Sequence, residues 1–394
     1  MRILFVSDTY YPHLNGVYYF VCRIAPLLQQ KGHQVAVIAP SETIYSSLNK
    51  RDNIDVYGVS SFPVLIYPKV RIPIPVLLKS RVSELIKTFK PDIIHLQDHF
   101  LISKAVIKVG KELGIPIIAT NHFMPENLTA LVNSEKWKKK LEKWLWYEFS
   151  KILNQVIVIT TPTETGAQLI RPKLKVKVMA ISSGIDLHDF NPSGDPDKVR
   201  LKYHIPDKPA FLFVGRLDPE KNIEEILQAV AIVAKKIDFR FVVVGKGLRK
   251  KALEQLAQEL GIADKVIFTG FVPEEDLPFL YKLSRCFIIA SIAELLSLAT
   301  LQAMASGLPV IAVNAGALPE LVQDKVNGYI FNTRDTEKLT QSMYDVLTKN
   351  NIYDNMCEKS LEKASGHDIN NTVHSFEKLY KLHSNKRVIE NDFA

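Results

Sequence analysis

The 394-residue chain is short of several things, and each shortage narrows what it can be. No uninterrupted apolar run reaches the ~18–20 residues that a membrane-spanning helix requires, so a spanning protein is not expected. The first residues, MRILFVSD, read as a strand with charges at both ends and lack the layout of a secretory signal. Cysteine occurs three times, at Cys22, Cys286 and Cys357, without metal-ligand spacing, which suits a reducing compartment. These shortages predict a cytoplasmic protein. Acidic residues are the scarcer sign, 42 against 50 basic ones, for a formal net charge of +8. That balance favours an anionic partner: nucleic acid, acidic lipid or a phosphorylated substrate. Tryptophan is as rare as cysteine, and all three (Trp137, Trp144 and Trp146) fall in SEKWKKKLEKWLWYEFSKIL, residues 134–153, among six lysines.

What is present is an ordinary globular balance, 47% apolar and 23% charged, in a chain long enough for two domains. Short β-branched runs alternate with helical stretches, the pattern of parallel α/β architecture. RILFVSD, QVAVIAP, DIIHLQ, IPIIATN and QVIVITT read as buried strands in the first half. FLFVGR, FRFVVVG, KVIFTGF, CFIIAS and PVIAVN repeat the pattern in the second. Between them the chain loosens at SSGIDLHDFNPSGDPDK. The expected fold is α/β with two Rossmann-like domains, residues 1–190 and 191–365. A polar helix and tail, 366–394, are expected to pack back toward the first. Ligands would meet strand C-terminal ends in a deep inter-domain cleft.

Three stretches are suited to an anion. In SDTYYPHLNGVYYF, Gly16 would let a backbone amide approach a ligand at a helix N-terminus; Asn15-Gly16 as a plain tight turn reads equally well. In FVGRLDPEKNIEEILQAV, Asp218 fits an N-cap and Pro219 a first helical position. Arg216 and Lys221 then flank a positive helix end, a conflict that a diphosphate would resolve, unless both are simply solvated loop residues. In AELLSLATLQAMASG, Glu294 precedes a helix starting near Ser297, whose free amides at Ser297, Leu298 and Ala299 could hold phosphate. Gln302 would lie about one and a half turns in. A buried helix with a capping acid is the bland alternative.

Taken in order, DTYYPHLNGV, PDIIHLQDHF, ATNHF, SSGIDLHDFNP, VGRLDPEKN, VVVGKG, VIFTGFV, the Glu294 segment with AMASGLPVIA, and GALPELVQDKVNGYIF resemble the retaining GT-B glycosyltransferases of family 4 (group 1). The resemblance implies transfer of a hexose from a nucleotide-sugar, a UDP-sugar being favoured, with retention at the anomeric carbon. It implies that Arg216 and Lys221 hold the donor diphosphate together with the Gly16 loop and the amides of Ser297, Leu298 and Ala299. His122 would contact the donor sugar and Glu294 its hydroxyls. Gln302 would face the ribose, and Phe271 and Val272 the base. Two positions depart from the family: Gln302 stands where Glu is usual, and Ser297 where Gly is usual. Glutamine can both accept from and donate to ribose hydroxyls, but it is uncharged. No Asp-x-Asp motif lies in a suitable loop, so the expectation is no metal and no cofactor, with the cations stabilising the leaving group.

The acceptor is sought in the basic stretch. On a helical wheel Trp144, Trp137, Leu141, Ile152, Leu145 and Phe149 share one face, expected to pack on the core. Lys136, Lys139, Lys140, Lys143 and Lys151 lie opposite, with Trp146 at the edge near them. Trp137, Lys139, Lys140, Lys143 and Trp146, with Lys69 and Arg71 of the Pro-rich FPVLIYPKVRIPIPVLLK, are the candidate surface for an anionic membrane or the acceptor. LNGV and YPKVRIPIP look most like the lipid-glycosylating branches of the family. The leading expectation is therefore a cytoplasmic enzyme, peripheral on the inner membrane face, glycosylating a lipid or lipid-linked hydroxyl. A soluble or polysaccharide acceptor, and a degenerate homologue that only binds nucleotide-sugar, are the alternatives. Nucleic acid is not an expected partner, since no recognised module accompanies the lysines.

Overall fold

The structure, a computed structural model, describes residues 1–13, 15–51, 53–65, 69–122, 134–190 and 193–384. Leu14, Phe123, Asn191 and Pro192 of the quoted motifs, residues 66–68 of the Pro-rich stretch and the tail after Ser384 lie outside the described residues. The chain divides into two units, Met1–Ser183 with the helix from Ile369, and Gly184–Asp368. The first divide falls between 183 and 184, earlier than 190/191, because Ile185 already belongs to the second core and pairs with Asp368.

Unit 1 is built on an eight-stranded sheet. Its strands in chain order are β1 (Arg2–Val6), β2 (Gln34–Pro40), β3 (Ser47–Arg51), β4 (Ile54–Val59), then β7 (Ile93–Leu96), β8 (Ile117–Thr120), β9 (Val158–Thr161) and β10 (Lys177–Ala180). A separate two-stranded ribbon pairs β5 (Ser61–Pro63) with β6 (Arg71–Pro73). The order across the sheet is β10-β9-β8-β7-β1-β2-β4-β3, parallel except for β3. Buried parallel strands need apolar residues on both faces, and alternate residues of β1 supply them. Leu4 and Val6 join one core, Ile3 and Phe5 the other. The first core is covered by α2 (Leu78–Phe89), α3 (Leu101–Glu112) and α4 (Glu135–Leu153); the second by α1 (Gly16–Gln30).

Unit 2 carries a six-stranded, all-parallel sheet. It contains β11 (Ala210–Val214), β12 (Arg240–Val244), β13 (Val266–Gly270), β14 (Cys286–Ile289), β15 (Val310–Val313) and β16 (Gly328–Phe331). Their order is β13-β12-β11-β14-β15-β16. Helices α5 (Ile223–Val233) and α6 (Leu298–Ala305) follow β11 and β14. The chain then returns to unit 1 as α7 (Ile369–Ser384), which packs against α1 and β7 through Val373, Phe376 and Tyr380. Each of the ten runs read as strands contains one. The runs not read as strands include β4 and β10, and the β3, β5 and β6 segments are polar or Pro-bearing edges.

Candidate active site

The donor-side candidates gather at strand ends of unit 2. The loops after β11 and β12 meet backbone to backbone, which only glycine allows. A Cβ on Gly245 would lie 1.8 Å from the Gly215 carbonyl, and one on Gly247 2.4 Å from that of Leu217. Asp218 fastens the same contact by accepting from the Leu248 amide at 3.2 Å. Its side chain therefore caps no helix. Asn222, in the left-handed region at φ 47°, splits the expected helix into a single 3-10 turn, Pro219–Lys221, and α5 starting at Ile223.

The two cations do not stand in unrelieved conflict, as the sequence reading supposed. Arg216 is exposed but paired with Asp218 and with Glu220, the latter at 2.9 Å. Lys221 and Glu294 form an ion pair with side chains only 14% and 13% exposed, and the Lys221 ammonium also lies 3.4 Å from the Ser291 hydroxyl. Asp218 and Glu220 are local partners, two and four residues from Arg216, whereas Glu294 comes from another strand's exit loop, so spacing could not reveal that pair. A diphosphate would have to share Arg216 and Lys221 with these carboxylates.

Glu294 is held from behind. The Ala317 amide donates to its carbonyl at 2.9 Å. Gly316, at φ +54°, packs so close that a Cβ would come 2.6 Å from that oxygen. Ser297 caps α6, its hydroxyl accepting from the Thr300 amide at 3.2 Å. Leu298 and Ala299 open the helix, half-buried. Gln302 is already engaged: the buried Tyr281 hydroxyl is 2.9 Å from its Oε1 and 3.2 Å from the Ala299 carbonyl. After Gly270 (φ +73°), Phe271 stands 60% exposed with the Lys246 ammonium 5.9 Å from its ring centre, while Val272 is buried.

In unit 1, His122 follows β8. Its Nε2 lies 3.0 Å from Oε1 of Gln97, a fully buried residue just after β7. Burial, aided by the Arg23 charge, pushes its pKa down to about 4, so the imidazole is neutral at pH 7. Gly16 is the first residue of α1, whose N-cap Asn15 accepts from the Tyr18 amide at 2.9 Å. A Cβ on Gly16 would meet no described atom within 4 Å. His95 and His99 are both buried. The first is buried between the Tyr380 hydroxyl (2.7 Å) and Thr120 (2.6 Å), the second stacks on Phe100 with ring centres 4.7 Å apart. Beyond the sequence candidates, Asp8 accepts from the Ile102 and Ser103 amides that open α3, and Asp98 accepts from the Asp8 amide at 2.8 Å. Gln97, Gly316 and these acids were visible only as letters inside longer motifs.

Helix α4 turns differently from the wheel. Leu145, Phe149, Ile152 and Leu153 are buried, and Trp146 packs beside them with its ring centre 5.2 Å from that of Phe149. Trp137 and Trp144 are 64% and 57% exposed. The expected roles of the tryptophans are thus exchanged: burial of Leu153 moves the centre of the buried arc toward Trp146 and away from Trp144. Lys139, Lys140 and Lys143 are exposed, Lys140 with its ammonium 5.1 Å from the Trp137 ring centre. Lys69 is exposed, whereas Arg71 is tied to Ser61 by two 2.8 Å hydrogen bonds within the β5–β6 ribbon. Among the described residues no helix is long and apolar enough to cross a membrane.

Residues 14–189 match the family profile described as Glycosyltransferase Family 4, and residues 197–363 that of Glycosyl transferases group 1. The chain is 30% identical over 339 residues to an alpha-monoglucosyldiacylglycerol synthase of Streptococcus pneumoniae, covering 84% of this chain and 75% of that protein. It is 26% identical to a GDP-mannose-dependent alpha-mannosyltransferase of Mycolicibacterium smegmatis over 82% of each. Among solved structures, Anabaena HepE in complex with UDP superposes with a TM-score of 0.74 at 18% identity, over 97% of this chain and 100% of that one.

Proposed function

This chain belongs to the family 4, group 1 glycosyltransferases and has the GT-B fold, and on that premise we propose a retaining, metal-independent hexosyltransferase acting on a lipid or lipid-linked hydroxyl. The donor in this reading is a UDP-sugar. The observation that carries it is the largely shielded Lys221–Glu294 pair, with Arg216 nearby in sequence and the Ser297-capped α6 after it. Withdrawing two charges from most of the solvent carries a desolvation cost, and here they lie at strand exits, where α/β folds bind ligands.

In this proposal Arg216, Lys221 and the amides of Ser297, Leu298 and Ala299 hold the diphosphate. Their fixed positive charge faces the negative charge that grows as the anomeric C–O bond breaks. Glu294 orients sugar hydroxyls, Gln302 the ribose, and Phe271 and Val272 the base. Neutral His122 contacts the transferring sugar without adding positive charge to it. The acceptor oxygen bonds to the anomeric carbon from the leaving-group face, and its proton passes to the departing phosphate oxygen. The resemblance to a diacylglycerol-glucosylating enzyme and the exposed Trp137 and Trp144 among lysines support an acceptor presented at an anionic membrane surface.

The test has two arms. Thermal-shift binding of UDP-, GDP- and ADP-sugars, followed by mass analysis of products from lipid extracts, identifies donor and acceptor. Arg216→Ala and Lys221→Ala should then lower transfer by about 100-fold or more, with the fold retained. Wild-type turnover in either variant would defeat the diphosphate assignment. Full activity on a soluble glycan with none on lipid would move the acceptor to the second class.

A further inference from the structure

Resting on the transferase reading of His122, we propose that Gln97 is a positioning residue. Its side-chain carbonyl holds His122 as the Nε2–H tautomer, which leaves Nδ1 with a lone pair for a sugar hydroxyl. The two residues follow neighbouring parallel strands, β7 and β8, so their backbones are fixed by the sheet. The Gln97 amide itself donates to the Val6 carbonyl at 2.8 Å. Its side chain is fully buried, and Oε1 faces His122 Nε2 at 3.0 Å.

A neutral imidazole has one N–H and one lone pair, and whichever group faces one nitrogen decides the character of the other. Among the described residues, the other groups near His122 do not compete for that decision: the Arg23 charge only disfavours a second proton on the ring. The Phe20 ring, 5.0 Å from it between centres, offers no hydrogen bond. His95 nearby has both ring nitrogens occupied, by Tyr380 and Thr120. Gln97 Nε2 is buried and has no hydrogen-bond partner among the described residues. A buried donor without a partner is a standing cost that leucine or methionine would not carry. The amide is therefore retained for its oxygen, and that oxygen bonds to His122. Rotating the amide by half a turn would reverse the outcome, placing the proton on Nδ1.

The full chain, labelled with 15N-histidine and studied at pH 8, provides the test. His122 signals are identified by their loss in His122→Ala. Wild type should show Nε2 protonated and Nδ1 bare. Gln97→Met, similar in volume, should give a mixture of tautomers, and Gln97→Glu should restore the wild-type state. With UDP-glucose as donor probe, Gln97→Met should lose about tenfold in kcat with little change in KM, and Gln97→Glu should recover part of it. A protonated Nδ1 in the wild type, which needs no variant to fold, overturns the proposal. So does an unchanged His122 spectrum in Gln97→Met, or a shifted one with full kcat. Should no donor be turned over by the wild type, the transferase reading falls, and the nitrogen spectra still decide what Gln97 does.

Discussion

Gly316 shows how one residue without a side chain sets the position of another with a function. Its left-handed backbone and its 2.6 Å clearance to the Glu294 carbonyl leave no room for a methyl group. Gly316→Ala should cost about 1–3 kcal/mol of stability and, by pushing Glu294 out of register with Lys221, lower transfer further than the stability loss explains. Urea unfolding and kcat measured on the same preparations check both halves. The glycine could be read as a turn from GALPELV, but not its neighbour, because the contact joins exits of two different strands. The same limit hid the partner of Lys221. Arg216 and Lys221 could be picked out by their place after β11, whereas Glu294 as the partner of Lys221 is a tertiary fact. Ser297 as a cap was legible because capping is local.

At the level of elements, α4 separates packing from surface chemistry. Phe149 is fully buried against Trp146 and the sheet, and Phe149→Ala should cost about 3–5 kcal/mol. Trp137→Ser with Trp144→Ser should leave stability within about 0.5 kcal/mol, since both rings face outward. In sedimentation with phosphatidylglycerol vesicles the same double variant should bind more weakly than wild type. Equal binding would leave the exposed tryptophans without a membrane role. Helical periodicity located this amphipathic helix but not the centre of its buried arc, because the sheet beneath chooses that centre. The strands follow the same rule. Continuous apolar runs such as QVAVI declared themselves, while KVMA at the lysine-bearing edge did not. SLNKR of β3 is a strand because β4 pairs with it, not through its own propensity.

Across the molecule, buried neutral histidines set an acid limit. Burial lowers the pKa of His99 and His122 to about 4 and holds that of His95 well below its ordinary value. Unfolded histidine titrates near pH 6.5, so the folded state is favoured above that value and loses stability as pH falls toward 4, where the unfolded chain binds protons that the folded chain refuses. Asp98 works the other way: burial beside Asp8 raises its pKa, so its contribution fades as pH rises. His99→Phe should remove on the order of 2 kcal/mol of the stability lost between pH 6.5 and 4, read as a flatter pH dependence of the urea midpoint. An identical slope in the variant would mean that His99 titrates alike in the folded and unfolded chain. The return of α7 to unit 1 has a consequence for synthesis. Residues 184–368 are contiguous and can close as they leave the ribosome, but the α1 face of the first sheet waits for Val373, Phe376 and Tyr380. At translation rates of roughly 5–20 residues per second, a nascent chain carries that uncovered face, with Phe5 and Phe20 in it, for roughly 10–40 seconds.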